Sequence, residues 1–113
     1  MSKKCNKYKS FYPDLTPVVY SFSTYSSSRN TYTVVNVIGK NFLPDGTTAI
    51  QFGSYTNIPI IYYSSFNISF VVPTPPSANT YPETYTVYVT LNTNSNFSPF
   101  LLYSNPVTYT ITS

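Results

Sequence analysis

Few residues in this chain of 113 are able to do acid–base, nucleophilic or metal chemistry. It has no histidine, one cysteine, Cys5, and three widely separated carboxylates, Asp14, Asp45 and Glu83. A glycosidase needs two facing acids, and covalent catalysis needs a nucleophile beside a base. Zinc and calcium sites need clusters of such side chains. We therefore predict a protein that is not an enzyme and that uses no cofactor and no metal ion.

Positive charge is concentrated in the first nine residues. Lys3, Lys4, Lys7 and Lys9 contribute +4 there, whereas the two cations and three acids of the remainder sum to −1. The body is therefore a poor phosphate binder, and we expect nucleic-acid binding only through this segment, if at all. Residues 1–16 show no apolar period, which favours a flexible or partner-ordered arm. Such an arm either contacts phosphate, an anionic surface or an acidic neighbour, or serves only solubility.

Aromatic residues are in excess, with 13 tyrosines and 8 phenylalanines. Tyr62 and Tyr63 are adjacent, so in a regular strand they point to opposite faces and one points outward. Tyr88 faces outward in the alternating run "ETYTVYVTL", and Phe100 and Tyr103 belong to one apolar connection, "FSPFLLY". Tyrosine is favoured in interfaces because it brings a large area with few rotors. We predict these five side chains and the four lysines as interaction residues; the alternative for "FSPFLLY" is additional core.

Short strands must position these side chains. Ten prolines and many β-branched and aromatic residues disfavour long helices. Strand-like runs bounded by turn residues occupy 17–23, 31–40, 47–53, 58–65, 67–73, 83–91 and 107–113. No helical pattern separates them, so we predict an all-β fold, an immunoglobulin-like antiparallel β-sandwich of about seven strands. The expected domains are the arm, 1–16, and the sandwich, 17–113.

The three glycines lie within 15 positions, in "VIGKNFLPDGTTAIQFG". Gly39 is expected to end or bulge the second strand, and Gly53 to end the third. Gly46 follows Pro44 and Asp45 in a turn signal. Pro59 lacks a donor for a sheet ladder, so its strand is expected at an edge or to begin there.

In their order and spacing, these segments resemble the IPT/TIG domain, a family with an immunoglobulin-like fold. The matching positions are Pro17, Val19, Phe22, Val35, Val37, Gly39, Asn41, Phe42, Ile50, Phe52, Gly53, Ile68, Val72, Pro73, Val107 and Tyr109. The resemblance covers about residues 17 to 112. Two loops depart from the family pattern: "TYSSSRN" replaces a glycine-rich turn, and the connection before the last strand is long and apolar.

The resemblance implies a binding scaffold. In its short length and its composition, this chain resembles the stand-alone IPT/TIG proteins of giant double-stranded DNA viruses. We therefore expect a minor capsid or virion-surface component, assembled in the host cytoplasm, whose partners are proteins such as capsid subunits or further copies. The alternative is a cell-surface or secreted recognition module for protein or carbohydrate. No apolar run approaches the roughly 18 residues of a membrane span, so no membrane insertion is expected. The methionine at the start of the chain leads us to expect a whole small protein.

Overall fold

The computed structural model describes residues 15–44, 47–76, 79–93 and 100–113. Ten strands and no helix lie within these ranges. They are β1 Val18–Phe22, β2 Ser26–Ser28, β3 Val34–Lys40, β4 Thr48–Phe52, β5 Tyr55–Ile58, β6 Ile61–Ser64, β7 Asn67–Val71, β8 Glu83–Thr93, β9 Phe100–Tyr103 and β10 Val107–Thr112. Residues 1–14 of the predicted arm lie outside the described ranges.

The strands form two sheets. One has the order β1-β3-β7-β6, and the other has the order β2-β10-β8-β4-β5, with β9 also paired to β8. The pairs are antiparallel except that β2 runs parallel to β10. Apart from the three short strands β2, β5 and β9, this is the order of an immunoglobulin sandwich, in which strands A, B, E and D oppose strands G, F and C. The predicted all-β, immunoglobulin-like fold is confirmed.

The core lies between the sheets, where the alternating residues of each strand meet. Val35 and Val37 of β3 and Val87 and Val89 of β8 are fully buried, as their alternation predicts. Phe52 of β4 is at the centre of an aromatic cluster. Its ring centroid lies 6.3 Å from Phe70, 5.0 Å from Tyr85 and 5.4 Å from Tyr109. This cluster joins the two sheets without a disulfide or tryptophan.

Three short strands were not predicted, and two of them change how the candidate residues are placed. The predicted strand at 58–65 is β6, which begins after Pro59 and lies at the edge of its sheet as expected, but the unpredicted strand β5 precedes Pro59 in the other sheet. The connection predicted before the last strand contains β9, whose residues pair with the end of β8. The third, β2, borders β10. Both Tyr62 and Tyr103 therefore lie on strands.

Two glycines are required for different reasons. Gly39 was expected to end or bulge its strand, but it lies inside β3, and a Cβ there would collide with the carbonyl oxygen of Val18. The irregular pairing is in β1, between Val19 and Ser21. Gly53 has φ of +59°, the left-handed region that glycine enters most readily, and it turns the chain after β4. Gly46 lies outside the described residues.

The connection between β9 and β10 ties the sheets together at one side of the sandwich. The Ser104 backbone N–H donates to the Val89 carbonyl at 2.8 Å, and the Val89 N–H donates to Ser104 Oγ at 2.8 Å. The next side chain reaches the opposite sheet: Asn105 Oδ1 accepts from the Val19 N–H at 2.8 Å, and its Nδ2 donates to the Val19 carbonyl at 3.0 Å. One amide side chain therefore satisfies both backbone groups at the outer edge of β1.

Candidate interaction surfaces

An aromatic pair marks the outward face of the six-stranded sheet. Tyr88 of β8 and Tyr103 of β9 pack edge to face, with ring centroids 5.5 Å apart and planes at 82°. Tyr103 lies opposite Thr90, and Leu101 is two residues earlier on the same side of β9. Tyr103 and Leu101 remain 44% and 46% exposed. We call Tyr88, Leu101 and Tyr103 the β8–β9 surface.

The β8–β9 surface has uncharged neighbours. On β4, Ala49 lies opposite Thr90 and Gln51 lies opposite Tyr88, on the same outward side. Thr90 is only 6% exposed although it points outward, and its hydroxyl donates to the Ala49 carbonyl at 3.3 Å. Tyr88 is half-buried, since the Tyr103 ring packs against it. The outward prediction for Tyr88 gave the correct face, and the surface suits an apolar, hydrogen-bonding partner.

Tyr62 and Tyr63 are both exposed, at 38% and 59%, where only one was expected to point outward. The reason is that β6 is the last strand of its sheet, so no strand covers its outer side. The Tyr63 hydroxyl lies 3.5 Å from Ser69 Oγ on the outward face of the sheet. Tyr62 pairs with Ile68 and points to the other side, toward the crossover from β5.

A cavity of about 330 Å³ opens beside Tyr62 at that crossover. It is lined by Pro44, Thr48, Ala49, Asn57, Pro59, Ile60 and Tyr62. Among the lining residues that the structure describes, apolar surface is combined with one amide and two hydroxyl groups, and Tyr62 is the only titratable residue. Such a site offers stacking and hydrogen bonding.

The two described groups with perturbed pKa values, Tyr85 and Tyr109, make hydrogen bonds within the sandwich. Glu83 is the only acidic side chain in the described part of the chain, and its Oε1 accepts hydrogen bonds from the hydroxyl of Tyr85 and, at 3.3 Å, from Asn79 Nδ2. Burial, with Glu83 as the further cause, raises the pKa of Tyr85. Burial also raises the pKa of Tyr109, against the opposing effect of its hydrogen bond to Ser27. Both phenols are thus held protonated.

The structure brings together some of the predicted interaction residues and leaves others undescribed. Tyr88 and Tyr103 form one surface, and Tyr62 and Tyr63 lie apart from them on β6 of the opposite sheet. The side chain of Phe100 and the residues Lys3, Lys4, Lys7 and Lys9 lie outside what the structure describes, as do Cys5, Asp14 and Asp45. Within the described ranges, no cluster of three or more His, Cys, Asp or Glu side chains could hold a metal ion.

Sequence reasoning missed two residues that organise these surfaces. Asn105 joins the β9–β10 connection to β1, and nothing in its local sequence marks it. Arg29 was counted only as a body cation, but its guanidinium lies 5.7 Å from the centre of the Tyr81 ring and donates to the Pro75 carbonyl at 3.4 Å. It therefore holds the proline-rich connection before β8 rather than standing free for a ligand.

Comparison with known proteins adds no family. No protein-family model matches the chain, and no curated protein matches it. In the part of the chain that the structure describes, no helix is long and apolar enough to cross a membrane. Function must therefore be argued from the exposed side chains and their surroundings.

Proposed function

We propose that this protein is a non-enzymatic structural and interaction protein of the IPT/TIG type, which assembles with other proteins through its tyrosine-rich faces and its basic arm. The β8–β9 surface is the observation that supports this most strongly. Two tyrosines and a leucine are gathered there from two strands, among uncharged neighbours, with Tyr103 and Leu101 nearly half exposed. Aromatic anchors in apolar surroundings are the residues that contribute most to protein interfaces.

The setting that we propose is a virion, in which the protein is a minor capsid or surface component assembled in the host cytoplasm. The resemblance to short viral IPT/TIG proteins and the composition, poor in alanine and glycine, motivate this part of the proposal. In this arrangement the sandwich packs against coat subunits, and the lysines of the arm contact an acidic neighbour.

The cavity beside Tyr62 favours a second candidate function, a cell-surface or secreted recognition module. An exposed ring next to a cavity of about 330 Å³ with amide and hydroxyl groups suits the stacking and hydrogen bonding of a sugar or a short peptide. The two candidates use different surfaces, since the cavity lies at the β5–β6 crossover and Tyr103 lies on β9.

Native co-purification from the source tests the proposal. The full-length protein is compared with a form lacking residues 1–12 and with Tyr103→Ser, and bound species are identified by mass spectrometry. Tyr32→Ser is the matched control, because Tyr32 is even more exposed, at 79%, and precedes β3 outside the β8–β9 surface. We expect stoichiometric recovery with a coat protein that both test variants weaken and the control preserves.

Other outcomes would redirect or reject the assignment. Recovery of a glycan or receptor that Tyr62→Ser abolishes and Tyr103→Ser leaves unchanged would support the recognition module instead. Recovery of no partner by the full-length protein, or equal loss in the Tyr32→Ser control, would contradict assembly through the β8–β9 surface. The deletion is expected to leave cooperative thermal unfolding intact; a loss of cooperativity would show that the arm belongs to the fold.

A further inference from the structure

The outward face of the four-stranded sheet carries exposed apolar side chains around the polar residues Asn36, Asn67 and Ser69. Val34 and Ile38 of β3 are 46% and 39% exposed, and Ile61 and Tyr63 of β6 are 50% and 59% exposed. Val71 of β7, which lies opposite Val34, is half-buried between them. We call these five residues the β3–β7–β6 face.

The register places these side chains side by side. Ser69 of β7 lies opposite both Asn36 of β3 and Ile61 of β6, so the three strands share one outward row there. Although it points outward, Ser69 is only 2% exposed, and its hydroxyl is 3.5 Å from that of Tyr63. The Tyr63 ring thus lies over the sheet, and the one hydroxyl beneath it is already partnered. Asn67, which lies opposite Ile38 on the same side of the sheet, has a buried Oδ1 without a hydrogen-bond partner among the described residues, so one polar atom beside this face is left unsatisfied.

Strand propensity alone does not account for aliphatic residues at these positions. An antiparallel sandwich normally places polar residues on its outward faces. The part of the other sheet where β8 pairs with β10 follows that rule, with exposed Thr84, Thr86 and Thr108 at neighbouring outward positions. Threonine suits a strand as well as valine does. The β3–β7–β6 face is therefore apolar where a polar residue of equal propensity is used elsewhere.

The extent of the face matches what a modest symmetric dimer needs. Its exposed side chains present on the order of 400 Å² of apolar surface, within the range of functional patches on monomers. With the flanking polar residues, two copies would bury roughly 1,000 to 1,400 Å² in total, which reaches the lower range of specific interfaces.

Charge points to a second copy as the occupant. Lys40, at the end of β3, is the only charged residue on the described strands of this sheet. A strongly charged partner therefore finds little complement, whereas two copies place neutral side chains against each other at the centre. We propose that two copies of this chain pack through the β3–β7–β6 face, related by a two-fold axis. This does not depend on the coat-protein contact proposed above, which uses the β8–β9 surface of the other sheet.

Sedimentation velocity of the full chain between about 2 and 200 μM tests the proposal. A reductant is present throughout, so that Cys5 cannot link copies covalently. The key comparison is Val34→Lys with Leu101→Lys, because both residues are 46% exposed and lie on opposite sheets. We expect the wild type and Leu101→Lys to form dimers, and Val34→Lys to raise the dissociation constant by roughly tenfold or more.

Each outcome decides for or against the face. A wild type that stays monomeric up to about 200 μM overturns the proposal. A dimer that Val34→Lys preserves, or that Leu101→Lys weakens equally, places the interface elsewhere and also overturns it. Val34→Thr is a second test variant for the case in which Val34→Lys misfolds, since threonine keeps a β-branched side chain in the strand. Weakened association of Val34→Thr with an unchanged melting temperature supports the proposal, and unchanged association counts against it.

Discussion

Substitution of Asn105 by alanine tests how the two sheets are joined. The Asn105 amide accepts from the Val19 N–H at 2.8 Å and donates to the Val19 carbonyl at 3.0 Å. The two residues lie 86 positions apart, so this is a contact between the first strand and the last connection. Because Val19 is only 6% exposed, water has limited access to its backbone groups after the amide is removed.

The expected loss of stability follows from these two bonds. An intramolecular hydrogen bond contributes about 1 kcal/mol net, and a donor or acceptor left buried without a partner costs more. Two such bonds at a partly accessible edge give a loss of about 2 to 3 kcal/mol. For a domain of this size, that lowers the melting temperature by roughly 8 to 12 °C.

Urea unfolding followed by far-ultraviolet circular dichroism measures this loss. Thr108→Ala is the control, because Thr108 is exposed on β10, three residues after Asn105. It is expected to cost no more than about 1 kcal/mol, the span of strand propensity between threonine and alanine. If Asn105→Ala loses no more than Thr108→Ala, then solvent replaces the amide without cost and the reasoning about the β1 edge is refuted.

Two further predictions concern glycine packing and alkaline pH. Gly39→Ala is expected to destabilise by more than about 3 kcal/mol, because the new methyl group meets the Val18 carbonyl. Gly53→Ala is expected to cost less, about 2 kcal/mol, because it adds strain at φ of +59° and a contact with the Tyr85 ring, which as a side chain can shift. Equal losses in urea unfolding would contradict the packing argument. Because the pKa values of Tyr85 and Tyr109 are raised, the folded state keeps two protons that the unfolded chain releases near pH 10. The free energy of unfolding is therefore at its full value below about pH 9 and falls as the pH rises above about 10. Urea midpoints from about pH 8 to 11 measure the decline, which Tyr109→Phe should make shallower; an unchanged slope would exclude Tyr109 as a cause.

The fold class could be predicted because strand patterns are local. The alternation in "ETYTVYVTL" places Val87, Val89 and Leu91 on one side whatever the neighbouring strands are, and all three are buried. Strand β9 was missed because its four apolar residues do not alternate, and its pairing with β8 is what makes it a strand. The order of the strands and the Asn105 bonds depend on residues far apart in the chain, which no local pattern contains.

The candidate surfaces could be predicted only in part, for a related reason. Exposure of both Tyr62 and Tyr63 follows from the edge position of β6, and a sequence does not show which strand is at an edge. The aliphatic face did leave a signal. Once Val35 and Val37 are taken as inward, Val34 and Ile38 must point outward by the same period of two. The run "TVVNVIG" looks like continuous core, and only the parity of its positions reveals the second, exposed face.

The edge strands and the outward faces of this sandwich favour association with other chains through the sheet faces rather than by strand addition at the edges. Four described strands end the two sheet orders, and β9, with four residues, pairs only with β8 and leaves its other side open. Three of the four offer a poor template for adding another chain: Asn105 occupies the Val19 backbone groups of β1, β2 has three residues, and β5 contains Asn57 at positive φ and stops before Pro59. The fourth, β6, has four residues and an irregular register. Short and irregular edges are the usual protection against strand addition. With the edges protected, the exposed apolar side chains on the two outward faces are the surfaces from which association can draw its free energy.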